Sequence, residues 1–110
     1  MSAVVSSLPT LDAVLAYRNE RVIDGFVDRI DVPRAEAERI FVETLRWLWY
    51  IAHTPPTPAN PEANAIDRPL LIIDEMWHTF ILYTRDYADF CERMFGRVIH
   101  HDPGPKGADA

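Results

Sequence analysis

Glycine, cysteine and serine are all scarce in this chain, and each scarcity removes a class of chemistry. The 4 glycines among 110 residues are scattered at Gly25, Gly96, Gly104 and Gly107, so no glycine-rich loop is present to cradle a phosphate. The single cysteine, Cys91, rules out a disulfide within the chain and suits a reducing compartment. The serines, Ser2, Ser6 and Ser7, all fall in a short N-terminal stretch, which leaves no candidate for a Ser-His-Asp nucleophile. Bases are outnumbered, 11 Lys and Arg against 17 Asp and Glu, for a net charge of −6. A chain of that sign lacks the basic face that displaces counterions from nucleic acid, and it is not drawn to anionic membranes. Like charges never run to five, so no charged interaction tail is expected. No apolar run approaches the ~20 residues of a membrane-spanning helix. The N-terminus carries no basic segment leading into an apolar core. These last features together predict a cytoplasmic location.

What is present is a 48% hydrophobic composition, enough for a real core. A chain of this length forms one domain, residues 1–110, and buries roughly two-thirds of the surface its unfolded form exposes. Residues 1–9 are small and polar and read as a loose arm. Thr10 is a candidate N-cap for a helix from Leu11. Leu11, Val14 and Leu15, then Val22, Ile23, Phe26, Val27 and Ile30, recur at spacings of three and four, an amphipathic helical stripe. The polar patch Arg18-Asn19-Glu20-Arg21 interrupts it, and Gly25 costs that helix about 1 kcal/mol relative to Ala. Asp31-Val32-Pro33 is a restart signal, with Pro33 suited to a first helical turn and Glu36 and Glu38 near the positive end of the new helix dipole. That helix extends from about Pro33 to Ala52, with Ile40, Phe41, Leu45, Leu48 and Trp49 facing inward and Trp47 and Tyr50 widening the stripe. His53 at its end is favoured by the dipole.

Five prolines within 54–69 make that stretch a loop. A third helix spans 69 to about 83. Thr84 reads as hinge and cap for a fourth, with Asp86 in its first turn, and Gly96 ends it in the left-handed conformation. Residues 97–99 are a short extended piece, and 103–110 a disordered tail. No segment alternates as a half-buried strand does. The predicted fold is all-α, a small antiparallel bundle of four to five helices. Trp47, Trp49, Trp77, Tyr83, Tyr87, Phe90 and Phe95 read as core rather than as a cofactor box.

The chemistry-bearing residues gather late in the chain. Asp74 and His78 are four apart on one predicted helix, hence on one face one turn apart. That spacing suits two ligands of one metal, or a carboxylate that orients an imidazole. Leu71, Ile81 and Leu82 share that side, which predicts a partly buried His78 in need of a partner. His100, His101 and Asp102 place three more metal-capable side chains in a row. If the third and fourth helices form a hairpin, Asp74 and His78 meet this second group. Imidazoles with a carboxylate make a ligand set for Zn, Fe, Mn, Ni or Cu, with Asp74, His78 and His101 leading, His100 and Asp102 next, and Cys91 as a softer addition. The competing reading is a clasp, in which the same groups hydrogen-bond one another, tie the C-terminal segment to the third helix and perform no chemistry.

Asp74, Trp77, His78, Tyr87, Cys91, Gly96, His101 and Asp102 also form a pattern, within residues 74–103, that resembles the core of the glycine-rich domain-containing protein family and its small bacterial relatives. The chain lacks the glycine-rich region of the larger plant members. The resemblance implies that His78, Cys91, His101 and Asp102 belong to one unit. Two functions stay open. One is a helical domain whose His/Asp site binds a transition metal, with hydrolytic or redox chemistry if a coordination position is open. The other is a non-enzymatic interaction module with a protein partner or a second copy, using its acidic surface or the proline-rich loop, with the histidines as internal glue.

Overall fold

A computed structural model describes residues 9–54 and 71–101. Among these residues the regular secondary structure is all helical, with no strand: α1 (Leu11–Leu15), α2 (Glu20–Arg29), α3 (Arg34–His53), α4 (Leu71–Leu82) and α5 (Thr84–Phe95). The expected small all-α bundle is what forms. The loose arm, the proline-rich loop, the tail and Asp102 lie outside the described residues, apart from Pro9 and Thr54 at their edges. None of the described helices is long and apolar enough to cross a membrane.

Local signals set the helix starts. The Thr10 hydroxyl accepts the Ala13 N–H at 3.2 Å and caps α1. The polar patch does split the first stripe, because Asn19 caps α2 by accepting the Val22 N–H. The same Asn19 amide donates to Asp86 at 3.0 Å on α5 and to the Tyr17 hydroxyl at 2.9 Å, so the break is also a tie across the bundle. Pro33 takes the N-cap position of α3, one residue outside the first turn. Arg34 opens α3 and reaches back to Asp24 at 2.6 Å and to Glu20 on α2.

α3 is the central element. It buries Ala37, Ile40, Phe41, Thr44, Leu45, Leu48, Ile51 and Ala52, and it packs against α1, α2 and α4. Its buried stripe is narrower than the sequence predicts. Tyr50 is exposed and stacks on Trp47, which is half-buried and packs against the core. Trp49 is half-buried and donates its indole N–H to the Pro9 carbonyl at 3.1 Å. α4 and α5 form a tight helical hairpin. Its cap position belongs to Tyr83, not Thr84, which is already the first helical residue and makes no capping bond. Phe41, Phe80 and Phe90 interlock with Tyr17 at ring separations of 4.7–6.2 Å, in the range where aromatic pairs add to burial. Gly25 has a packing reason: a Cβ there would collide with the Tyr83 hydroxyl and sit 3.1 Å from its ring carbons. Gly96, at φ 74°, turns the chain out of α5 and sends residues 97–101 back along α4.

Candidate metal centre

The site is built on the solvent side of the α4–α5 hairpin. Asp74 lies in the first turn of α4, where a carboxylate is favoured by the helix dipole. One turn on, His78 Nδ1 stands 3.5 Å from Asp74 Oδ2. His101 arrives from the segment after Gly96 and brings Nε2 to 2.5 Å from Asp74 Oδ1. One ligand atom from each of Asp74, His78 and His101 lies within 4.8 Å of the others.

A chain of buried hydrogen bonds brings His101 there. Trp77, fully buried on α4, donates its indole N–H to the Tyr87 hydroxyl at 2.9 Å. That hydroxyl donates in turn to the Ile99 carbonyl at 2.5 Å. Ile99 itself is buried, and Arg97 donates to the Ala52 carbonyl at the end of α3. Residues 97–101 are thus pinned by main-chain carbonyls and by one apolar side chain. The His101 ring then lies nearly parallel to Trp77, with centroids 4.0 Å apart and planes 13° apart, and to His78, at 4.6 Å and 11°. Burial pushes the Tyr87 hydroxyl well above its ordinary range, so it stays protonated and works as a hydrogen-bond relay.

The three candidate ligands differ in exposure. Side-chain exposure is 13% at His101, 22% at Asp74 and 52% at His78. The expectation that His78 is partly buried therefore fails. Leu71 and Leu82 are 51% and 68% exposed, whereas Ile81 is partly buried against the core, so only part of the side of α4 that the apolar spacing marked as inward faces inward. The buried face is Met76, Trp77, Thr79 and Phe80. A helix apolar nearly all round gives no phase to its stripe, and the error comes from there.

The remaining candidates separate. Cys91 is fully buried on α5, and burial is the main effect that pushes its thiol up, against a smaller lowering by the Ile99 backbone. Its sulfur is not among the three atoms that converge. His100 is exposed and lines a neighbouring groove; its ring is not among them either. Asp102 lies outside the described residues. His53 ends α3 with Nδ1 2.8 Å from the Trp49 carbonyl and its ring on the Trp49 indole. The relay of Trp77 and Tyr87 escaped the sequence, which placed both simply in the core. The signal that points to it is chemical: a buried indole N–H and a buried phenol each need a partner.

The donor set fits a metal in kind and needs adjustment in geometry. Two imidazoles and one carboxylate are ordinary ligands for Zn and, with open positions, for non-haem Fe(II). Bonds of about 2.1 Å put tetrahedral donors roughly 3.4 Å apart, closer than the outer spacing here. A metal also lies near the plane of each imidazole it binds. Two rings stacked in parallel share no such point, so His78 has to turn out of the stack. Its exposure leaves it room to do so. His101 Nε2 and Asp74 Oδ1, 2.5 Å apart in their hydrogen bond, have to separate as the ion takes the place of the shared proton.

Residues 57–106 match a family model described as UCP032817-like. The matched stretch contains the whole Asp74–His101 site, and it corrects the expected family: residues 74–103 fall inside a UCP032817-like match, not a glycine-rich domain family. The short pattern that suggested the latter follows largely from local needs, a Trp-His step on one helix, a Gly helix stop and a His returning to an Asp, and such needs are not specific to one family. No curated protein and no solved structure matches the chain.

Proposed function

We propose that Asp74, His78 and His101 bind a divalent transition metal at the surface of the bundle, with Zn, Fe, Mn, Ni and Cu as the candidate ions. The observation that carries this reading is the convergence of three ligand atoms within 4.8 Å, two of them held in place and the third on an exposed ring. Three protein ligands leave coordination positions for water or a substrate atom, the arrangement of a reactive centre rather than a closed structural one. His100, Asp102 and Cys91 remain outside this minimal set. A cytoplasmic setting suits the lone buried thiol.

The rival reading, a metal-free clasp in an interaction module, is favoured by one specific contact, the 2.5 Å Asp74–His101 hydrogen bond. The two readings diverge at His78. A clasp needs Asp74 and His101 and little else; a metal centre needs all three. The test is elemental analysis of tag-free protein purified without chelator, alongside His78→Ala. Near-stoichiometric metal that disappears in the variant, with a lower Tm on adding chelator, supports the centre. Protein that holds no metal, and gains none on incubation with each candidate ion, refutes it.

A further inference from the structure

The metal reading leaves one neighbouring feature unused: a groove of about 440 Å³ that shares His101 with the site. Its volume lies in the range of small-molecule sites, ~300–1000 Å³. Ile81 from α4, Ala88 from α5, and Val98 and Ile99 from the returning segment supply its apolar lining. His100 and His101 lie along the same groove. Among the described residues no acidic side chain lines it, in a chain with a net charge of −6.

Resting on the metal reading, we propose that this groove holds the apolar tail of a small monocarboxylic acid whose head group reaches the metal. Charge selects the head. A divalent ion with one Asp74 carboxylate and two neutral imidazoles keeps one net positive charge, which an anionic oxygen ligand neutralises. The imidazole of His100, next in the chain to His101 and lining the same groove, offers a further hydrogen bond to such a head. Shape and polarity select the tail. The apolar lining from Ile81, Ala88, Val98 and Ile99 accepts a hydrocarbon segment. His101 is the common wall between the ligand set and the groove, and it joins a head at the metal to a tail in the groove.

The test uses cobalt(II) as the ion and a pair of acids that differ only in tail, acetate and hexanoate. Cobalt-loaded protein is titrated with each, and the visible absorption of the ion is followed. Each buried methylene is worth about fourfold in affinity, so seating two of the four added methylenes makes hexanoate bind roughly 15-fold more tightly than acetate. In Ala88→Trp, which fills the groove from a residue outside the ligand set, that advantage falls to near unity while cobalt uptake persists. Equal affinities for the two acids in the wild type overturn the groove assignment and leave the metal reading standing. An advantage that survives Ala88→Trp overturns it too. Failure to take up cobalt, or any of the other candidate ions, overturns the metal reading and this inference with it.

Discussion

Replacing Tyr87 by Phe removes one oxygen atom and strands two buried groups. The hydroxyl accepts from Trp77 Nε1 at 2.9 Å and donates to the Ile99 carbonyl at 2.5 Å. Trp77 and Ile99 are 0% and 2% exposed, and Tyr87 itself 5%, so water does not readily take over. A buried polar group left without its partner costs roughly 1–3 kcal/mol. Two of them, with some relaxation of the free segment at 97–101, give an expected loss of about 3 kcal/mol. For a chain of this length that lowers Tm by roughly 12 °C. Urea denaturation followed by tryptophan fluorescence reads the loss as a lower midpoint at unchanged slope. Tyr50→Phe, on the exposed face of α3, is the control and shifts stability by less than about 0.5 kcal/mol. A loss below about 1 kcal/mol for Tyr87→Phe refutes the relay. It would mean that the return of the chain to Asp74 is held by something other than these two bonds.

Other outcomes follow from the same contacts. His101→Ala removes a largely buried bond to a carboxylate and a ring stack, and lowers stability by about 2 kcal/mol in metal-free protein, whereas His78→Ala, half exposed, costs well under 1 kcal/mol; equal losses would contradict the placement of the two rings. Gly25→Ala forces a methyl group against Tyr83 and destabilises by about 1–3 kcal/mol despite the higher helix propensity of Ala, and calorimetry showing a gain would refute the close approach. Burial raises the phenols of Tyr17 and Tyr87 above 10.0 and the Cys91 thiol above 9.0. Each therefore contributes stability that is fully present below its unfolded value and is lost as pH rises toward its folded one. Tm should hold to about pH 9 and then fall, and a Tm that rises between pH 9 and 11 would contradict the sign. Cys91 in folded protein should react with a thiol reagent only at the rate of local or global opening, so rapid stoichiometric labelling in native buffer would show that it is not buried.

Most of the fold was legible because its helix boundaries are written in short-range chemistry. Thr10, Asn19, Pro33 and Gly96 each mark an end through a hydroxyl, an amide, a missing N–H or a tolerated positive φ, and none of these depends on what packs nearby. Side-chain depth was legible only where a helix has a polar face to set its phase. α2 has one, and its buried residues Val22, Ile23 and Phe26 fall on the predicted stripe. α4 has few polar residues, and of the side marked by Leu71, His78, Ile81 and Leu82 only Ile81 packs against the core. Tyr50 failed on α3 for a related reason: an aromatic ring extends the apparent stripe in the sequence, yet can pack on its neighbour, here Trp47, at the surface.

The site was legible in its membership and not in its wiring. A spacing of four put Asp74 and His78 together without further information. Joining them to His101 required a hairpin, and the compositions of α4 and α5 with Gly96 after them were enough to suggest one. What no spacing conveys is the order of dependence among these residues. His101 reaches Asp74 because Ile99 is buried and its carbonyl is held by Tyr87, and Tyr87 is oriented by Trp77 from the same helix that carries Asp74. The scaffold of the site is therefore a closed circuit that starts and ends on α4, with His78 as the one member outside it. That arrangement separates stability from binding: damage to the circuit should lower both, whereas loss of the His78 ring should remove metal and leave the fold nearly untouched.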